Sequence, residues 1–469
     1  MALLILLVMA ACVALILTKK LPTAFALVLL AVVIGLLVGA PLITGKNSIA
    51  GDILQTGSAS LASTMIAIIL GSWLGALMDV TGIAATVVRK TVELGGDRPY
   101  GVAVGVFLVA TLTGTVTGSA PAAMLIGLIA IPALIGIGLP PVTAAGVVVV
   151  GLSAGIPFEL ISWQFLSQAV GVPVATVRDF QLTLFPIVLV LGLGYVLIES
   201  RRRGIVHNWA MRTDEAPAPA KARVDAPWYA LLTPLVPILL ALVLNIPIVP
   251  ALLIGILYAL LSTTRAGKLG PTALRTAFRG FEVAAAPTML FIAIGILLQA
   301  VKLPGVVSAL GPIVTAITPH NPVLFVIVLG VLAPLCLYRG PFNIYGMGAG
   351  VAGVLLAGHV YPAQAVLGIM ASYNQLLGVS DPTSTQTVWS AEFAGVRPER
   401  LMTRTLPYTW LVAVAGLALP QCAFSAEPVA GGWRRVGTVV PTVPPPRPFD
   451  TRVRRPRHHE PTDHEVDQS

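Results

Sequence analysis

Hydroxyl-bearing residues gather at a break between two long apolar arms in the first half of the chain. Thr115, Thr117 and Ser119 lie there beside glycines. Ser119 precedes Ala120-Pro121, a pattern typical of an N-cap followed by proline in the first turn of a helix. The free N–H groups of such a helix start attract anions, so this tip is predicted to bind a carboxylate. The alternative is a packing face of small residues in a transmembrane helix.

The densest polar cluster within an apolar segment lies in the second half. It contains Asn374 and the stretch Ser380-Asp381-Pro382-Thr383-Ser384. A carboxylate inside a membrane span costs about 2.5–3.5 kcal/mol on insertion scales, so it is usually functional or paired. We therefore predict that Asp381, together with Ser380, binds a coupling cation, either Na⁺ or H⁺. Asn374, Thr383 and Ser384 are predicted to contact the substrate, and the alternative is a plain helix cap at a wet surface.

Two further charged residues stand beside breaks in apolar segments. Arg339 follows an apolar arm directly, and Asn343 close behind it is predicted to donate hydrogen bonds to the substrate. A guanidinium group at this tip suits a bidentate clamp on a carboxylate, and the alternative is an arginine that reaches the membrane surface. Glu159 follows the break Gly155-Ile156-Pro157 and occupies nearly the place that Asp381 has in the second half. Glu159 is predicted to be a second ion or proton site, and an interfacial position is the alternative.

The composition is that of a polytopic α-helical membrane protein. The 469 residues are 56% hydrophobic and 10% charged, against about 25% charged in soluble domains. Many apolar runs approach the roughly 20 residues that span a bilayer as a helix. The net charge of +9 comes from lysines and arginines in loops beside the spans, where they act as orientation signals, so no nucleic-acid partner is expected. No nucleotide, nucleophile or metal-binding motif is visible, so neither an enzyme, a cofactor nor a metal site is predicted.

The arrangement of glycines and prolines indicates an internal duplication. Residues recur about 223–226 positions apart, and about 222 after one short gap. The first copy of this pattern consists of Gly71, Gly82, Pro99, Gly105, Gly114, Gly127, Pro141 and Gly146, and the second of Gly295, Gly305, Pro322, Gly330, Gly340, Gly353, Pro362 and Gly368. We therefore predict a first transmembrane repeat over residues 1–200, a cytoplasmic linker over 201–227, a second repeat over 228–420 and a disordered tail over 421–469.

The two repeats are predicted to have opposite orientations in the membrane. Each contains a hairpin and a broken long helix, and the hairpin adds an even number of crossings, so each repeat crosses an odd number of times. If Lys19-Lys20 is cytoplasmic, the later basic clusters also fall on that side. These clusters are the basic loop with Arg89, Lys90 and Arg98, then Arg201–Arg203, Arg265–Arg279, and the group Arg397, Arg400 and Arg404. Paired interruptions in inverted repeats are the best sequence indication of a transport site.

This architecture resembles the ion transporter superfamily, which includes citrate, dicarboxylate and gluconate permeases. Gly114-Thr115-Val116-Thr117-Gly118-Ser119-Ala120 is similar to the first hairpin region of these permeases, and Asn374 with Ser380–Thr385 is similar to their second polar loop. The Ser-Asn-Thr triplet of the Na⁺-coupled dicarboxylate branch is absent. The resemblance implies a scaffold with one moving element and a homodimeric assembly.

From these features we expect a multi-pass protein of the cell membrane that acts as a symporter of a small organic anion. The anion would be a dicarboxylate, a tricarboxylate or a sugar acid, coupled to H⁺ or Na⁺ and moved by alternating access. Its partners would be the carboxylate and the lipid bilayer. One alternative is a Na⁺/H⁺ antiporter of the same superfamily. The other is the membrane subunit of a carboxylate transporter that depends on a binding protein.

Overall fold

The computed structural model describes residues 1–95, 99–116, 120–202, 225–319 and 321–424, and these residues contain helices and no strands. The first half contains α1 (Ala2–Leu17), α2 (Thr23–Leu37), α3 (Gly57–Ala59), α4 (Ala62–Val80), α5 (Ile83–Gly95), α6 (Pro99–Gly114), α7 (Ala120–Gly136), α8 (Pro141–Gly155), α9 (Leu160–Val170) and α10 (Val174–Arg202). The second half contains α11 (Leu235–Leu242), α12 (Ile248–Thr263), α13 (Leu269–Val301), α14 (Pro304–Ile317), α15 (Pro322–Leu332), α16 (Met347–Ala357), α17 (Ala363–Ser380), α18 (Thr385–Phe393) and α19 (Pro398–Phe424). The all-helical fold class is therefore confirmed.

Long apolar helical stretches identify the chain as a multi-pass membrane protein. Within the described ranges, five stretches are long and apolar enough to cross a bilayer, by length and composition. They are Ile49–Val80, Pro141–Phe158, Val174–Arg202, Ala266–Val301 and Pro322–Arg339. Helices suit this environment because each one satisfies most of its own backbone hydrogen-bonding groups. Shorter apolar helices, such as α6, α12 and α16, pack among these long stretches.

The helices of the two halves follow the same order and pack against one another. Helices at equivalent places meet in pairs, namely α4 with α13, α8 with α17 and α10 with α19. Cross-contacts are also matched, because α9 packs on α16 just as α18 packs on α7. This pattern is consistent with the predicted duplication, while the opposite orientation of the two repeats stays a prediction.

The two breaks that were predicted within long helices, at Gly155-Ile156-Pro157 and at Ser380-Asp381-Pro382, are both present. In the first half, α8 ends at Gly155, a short 3₁₀ helix covers Ile156–Phe158, and α9 begins at Leu160. In the second half, α17 ends at Ser380 and α18 begins at Thr385. The two long helices are therefore interrupted at corresponding places, and α8 touches α17 beside the breaks.

Side chains replace the backbone partners that these breaks remove. Trp163 Nε1 donates to the carbonyl oxygen of Pro157 at 2.8 Å. Gln386 Nε2 donates to the Gly378 carbonyl at 2.9 Å, and Thr387 Oγ1 donates to the Val379 carbonyl at 2.8 Å. Carbonyl groups without partners are costly away from water, so these contacts stabilise both interruptions.

The structure shows a helix where a basic loop was expected, and it adds a helix that the sequence did not predict. The segment around Arg89 and Lys90 is not a loop but part of α5, which contacts α6 and α7. Its buried Val88 belongs to the same apolar cluster as those helices, so tertiary packing holds this short segment helical. The helix α14 was not expected, and it begins with Pro304, a residue that suits the first helical position.

The predicted domain limits differ slightly from the observed helix ends. The helix α10 continues to Arg202, beyond the limit at residue 200, and α19 continues to Phe424, beyond the limit at residue 420. Most of the predicted linker and nearly all of the predicted tail lie outside the described residues. Helices from the first and second halves of the chain make many contacts with each other within one compact unit, and the division into two repeats stays a prediction.

The first hairpin and the first broken helix approach each other backbone to backbone. A Cβ atom added at Gly155 would lie 2.7 Å from the Thr115 nitrogen and 2.7 Å from the Gly114 carbonyl carbon. A Cβ atom added at Gly114 would lie 2.9 Å from the Leu152 Cα atom. Only glycine permits this approach, so these positions hold the hairpin against the break.

We expect Gly155→Ala to destabilise the protein by about 1–3 kcal/mol, because the added methyl group must push backbone atoms apart. Thermal unfolding of the purified protein in detergent would show a lower midpoint. The matched control is Gly194→Ala in α10, where a Cβ atom would meet no atom within 4 Å. The Gly194→Ala variant should have the wild-type unfolding midpoint or a higher one, because alanine favours helix by about 1 kcal/mol over glycine. Equal midpoints for the two variants would contradict the close approach.

Candidate functional site

A cavity of about 680 Å³ lies beside both breaks. Its wall includes residues of α2, α4, α9, α13, α17 and α18 and of the segment between α15 and α16. Six residues that the sequence singled out line this cavity, namely Glu159, Arg339, Asn343, Asn374, Asp381 and Ser384. The structure therefore brings together charged and polar groups from three sequence segments, namely the first break, the second hairpin and the second broken helix.

Asp381 connects the second break to the tip of the second hairpin. Its side chain is 3% exposed, and its Oδ1 atom accepts hydrogen bonds from the backbone N–H of Tyr338 at 3.0 Å and of Thr383 at 2.9 Å. The Thr383 hydroxyl donates to the same oxygen at 2.7 Å. Asp381 thus acts as a local cap and also fixes a backbone segment that is distant in sequence.

The Tyr338–Arg339 segment has an unusual backbone conformation. Both residues lie in the left-handed region, with φ of 54° at Tyr338 and 56° at Arg339. Residues with side chains adopt this region at a cost, so the surroundings must hold it. The Tyr338 N–H bond to Asp381 is one such restraint. This turn places Arg339 at the cavity, and its guanidinium group has no ion-pair partner among the described residues.

Asn343 holds the tip in shape from inside. Its side chain is 4% exposed, its Nδ2 donates to the Cys336 carbonyl at 3.2 Å, and its Oδ1 accepts from the Tyr345 N–H at 3.0 Å. The Asn343 carbonyl also accepts the N–H groups of Gly346 and Gly348. Although Asn343 lines the cavity, its amide is already engaged with its own segment.

Asn374 joins the second broken helix to the other two segments of the wall. Its Nδ2 donates to the Ser162 hydroxyl on α9 at 3.1 Å, and its Oδ1 accepts from the Tyr345 hydroxyl at 3.0 Å. Ser162, Asn374 and Tyr345 all line the cavity. A hydrogen-bonded chain therefore runs along the cavity wall from the first half of the molecule to the second hairpin.

Aromatic rings cover another side of the cavity. Phe165 lies edge-on to Phe291, with ring centroids 4.9 Å apart, and stacks on Tyr345 at 5.6 Å. Tyr345 and Phe291 are themselves 6.0 Å apart. These rings give the cavity an apolar part of its wall beside its polar groups, a combination common in small-molecule sites.

Glu159 stands at the start of α9, on the other break. Its carbonyl accepts the Trp163 N–H at 3.1 Å, and its half-buried side chain lines the cavity. The cavity therefore holds two carboxylates, from Glu159 and Asp381, and one guanidinium group, from Arg339. Such a site has opposite charges for an anion and for a cation. No group of three or more potential metal-ligating residues occurs in the ranges that the structure describes.

The remaining predicted site residues lie elsewhere. Thr383 contacts Asp381 and is not among the cavity-lining residues. Ser380 hydrogen-bonds to the hydroxyls of Thr405 at 2.9 Å and Thr409 at 2.7 Å, away from the cavity. The Thr115 hydroxyl donates to the Leu112 carbonyl at 2.6 Å on its own hairpin arm. Thr117 and Ser119 lie outside the described residues.

Several lining residues carried no sequence signal. In the sequence, Phe165 and Phe291 do not differ from other apolar residues of membrane helices. Ser162 follows Glu159 by three residues, so one helical turn places both on the same side of α9, and this spacing was the available clue. Gln386 directly follows the polar loop, but its bond to the Gly378 carbonyl depends on how the break folds.

Comparison with known proteins identifies the fold. No model of a protein family matches the chain, and no curated protein matches it. The structure is similar to the crystal structure of the YdaH transporter of Alcanivorax borkumensis, with a TM-score of 0.54 and 14% sequence identity. The match covers 86% of this chain and 96% of the YdaH chain. The two proteins therefore share a fold across most of their length.

The bonds to Asp381 predict different effects of two substitutions. Asp381→Ala leaves the N–H groups of Tyr338 and Thr383 without their acceptor. Each buried N–H group left without a hydrogen bond lowers the free energy of unfolding by about 1–3 kcal/mol. Asp381→Asn keeps an oxygen in the same place, so it should unfold at nearly the wild-type midpoint in a thermal melt, well above the alanine variant. Equal unfolding midpoints for the two variants would contradict the role of Asp381 Oδ1 as the acceptor of these hydrogen bonds.

Proposed function

We propose that this protein is a secondary active transporter that carries a small organic anion through the cavity between the two breaks. The anion is a dicarboxylate, a tricarboxylate or a sugar acid, and its movement is coupled to H⁺ or Na⁺ by alternating access. The observation that supports this most is the meeting of Arg339, Asp381 and Glu159 in one cavity beside two interrupted helices. The shared fold with a transporter adds support.

Arg339 is the proposed anion-binding group. A guanidinium group presents paired N–H donors that match the two oxygens of a carboxylate. It lies at the tip of a turn that Asp381 restrains, so its position is set before the anion arrives. Asn374 and Ser384 line the same cavity and supply polar contacts for hydroxyl or carboxylate oxygens of the substrate.

Asp381 and Glu159 are the proposed cation sites. The carboxylate of Asp381 is buried, and the two acids stand at corresponding breaks of the two halves. Carboxylates inside a membrane protein typically mark ion or proton pathways. A cation that enters beside them would offset the negative charge of the substrate, which explains why the two would move together. Membership of the ion transporter superfamily is part of this proposal and rests on the duplicated architecture.

A Na⁺/H⁺ antiporter is the second candidate. It is favoured by the excess of carboxylates over guanidinium groups among the charged cavity residues. Such a protein would need Asp381 and Glu159 but no anion clamp at Arg339. Its signature would be a pH change inside vesicles in response to Na⁺ without any organic substrate.

Uptake by proteoliposomes tests the proposal. The purified protein should accumulate at least one of citrate, succinate and gluconate when a pH or Na⁺ gradient is imposed. Arg339→Ala should lower uptake by at least about tenfold, since the loss of a charged hydrogen-bonding group costs roughly 1.5–3 kcal/mol. Arg400→Ala is the matched control, because Arg400 is exposed and is not a cavity residue, and it should transport as the wild type does.

The coupling role has a separate test. Asp381→Asn should keep exchange of labelled for unlabelled carboxylate across the membrane, which needs no net cation movement. The same variant should lose accumulation driven by the cation gradient. If Arg339→Ala and Asp381→Asn both accumulate the carboxylate normally, the assignment of the site is wrong.

A further inference from the structure

The cavity-lining face of α13 continues beyond the large cavity to two arginines. Val283, Ala286 and Leu290 of α13 line this cavity. Arg275 and Arg279 lie eight and four residues before Val283 on the same helix. Residues at intervals of three and four fall on one face of a helix, so the arginines extend the cavity-lining face by two turns.

A matching face of α4 ends at an acidic residue. Ile68 and Ser72 line the cavity, and Gly75 and Asp79 follow Ser72 at intervals of three and four residues. At the end of this face, Asp79 Oδ2 forms an ion pair with Arg279 Nη2 at 2.7 Å. The ion pair therefore joins the cavity-facing sides of α4 and α13, beyond the residues that line the cavity.

The exposure of the lining residues indicates that the cavity opens at this end. On α4, Ile68 is 4% exposed, whereas Ser72, one turn nearer to the ion pair, is partly exposed. On α13, Phe291 is 5% exposed, whereas Ala286, more than one turn nearer to the ion pair, is exposed. The lining residues of both helices thus become more accessible toward the ion pair, as expected at the mouth of a cavity.

Arg275 is the arginine of this face that has no acidic partner. It is exposed, and no ion pair involves it among the residues that the structure describes. Arg279, one turn nearer to the cavity, is already paired with Asp79. Like charges four residues apart on a helix repel each other, so an anion beside the two guanidinium groups would be stabilising. Arg275 therefore offers a position for a carboxylate outside the large cavity.

Two further charged residues contribute to the electric field at the mouth. Lys20 is exposed and comes three residues before Thr23, which lines the cavity at the start of α2. Glu282 is exposed and directly precedes the lining residue Val283. We call the group of Lys20, Asp79, Arg275, Arg279 and Glu282 the vestibule. Its three basic residues minus its two acidic residues give a formal charge of +1.

We propose that the vestibule is a second binding site, which holds a small carboxylate at Arg275 before the anion enters the large cavity. The guanidinium group of Arg275 presents paired N–H donors that match the two oxygens of a carboxylate. Positive charge at the mouth of a cleft raises the local concentration of anions and their rate of entry. From there the anion moves between α4 and α13 toward Arg339. This inference rests on the proposed transport of an organic anion and assigns the first contact of that anion.

Charged thiol reagents test the vestibule without any transport. A cysteine at Thr385, an exposed cavity residue, is introduced into a variant without the native cysteines. The measured quantity is its rate of modification by a methanethiosulfonate that carries a sulfonate, divided by the rate with one that carries a trimethylammonium group. Arg275→Glu should lower this ratio about threefold or more at low ionic strength, because the two reagents respond to the charge with opposite sign. In 1 M salt the Debye length is about 3 Å, so the difference should disappear.

Two further variants make this test specific. Glu282→Gln removes a negative charge from the mouth, so it should raise the ratio. The matched control is Arg201→Glu, which makes the same charge change at an exposed residue over the Tyr100 ring. Neither α10 nor α6, which carry these two residues, contributes to the cavity wall, so this control should leave the ratio unchanged. A ratio that Arg275→Glu does not change, or that Arg201→Glu lowers equally, would overturn the vestibule.

Transport kinetics distinguish the entry site from the substrate cavity. The bias of basic residues predicts that the vestibule faces the cytoplasm. Arg275→Gln should therefore raise the KM for carboxylate added on that side about twofold or more, because fewer anions are captured there. The value of kcat and the KM from the opposite side should stay at the wild-type level. A KM that rises equally on both sides would overturn the entry site.

The two experiments also separate this inference from the proposed transport function. A wild-type protein that moves no carboxylate would contradict the transport proposal. If the reagent ratio still responds to Arg275→Glu in that case, the anion-binding site at the mouth is supported independently.

Discussion

The structure depends on hydrogen-bond partners for the backbone groups at two helix interruptions in an apolar environment. A break in a membrane helix exposes carbonyl and N–H groups that lipid cannot bond to. Here the side chains of Trp163, Gln386 and Thr387 donate hydrogen bonds to carbonyl groups at the breaks. The Asp381 carboxylate accepts hydrogen bonds from N–H groups on its own loop and on the second hairpin. The polar groups that stabilise the breaks are therefore neighbours of those that form the cavity.

The same constraint links the two halves of the chain. Asn374 bonds to Ser162, and Gln375, the next residue, bonds to Ser153, so one turn of α17 contacts both segments of the first broken helix. Asn374 lines the large cavity, whereas Gln375 lines a smaller one of about 20 Å³. A movement of α17 would therefore change the contacts with both segments of the first broken helix together.

Much of this arrangement was predictable from the sequence because breaks have strong local signals. The Gly155-Ile156-Pro157 and Ser380-Asp381-Pro382 patterns placed both interruptions correctly. The helix α5 was missed because its basic residues suggest a loop, whereas its packing against α6 and α7 decides its structure. Ser380 was predicted to face the ion site, but a hydroxyl at a break can turn either way. Here it bonds to Thr405 and Thr409 of α19, which the sequence could not place beside it.

In the proposed mechanism, the cavity beside the two breaks binds the solute and opens to each side of the membrane in turn. A single cysteine at Thr385, an exposed cavity residue, tests this in a variant without the native cysteines. We expect a membrane-impermeant maleimide to modify this cysteine from either side of sealed, oriented vesicles. We also expect the transported carboxylate to slow this reaction. Labelling from one side only, at a rate that no carboxylate changes, would contradict the account.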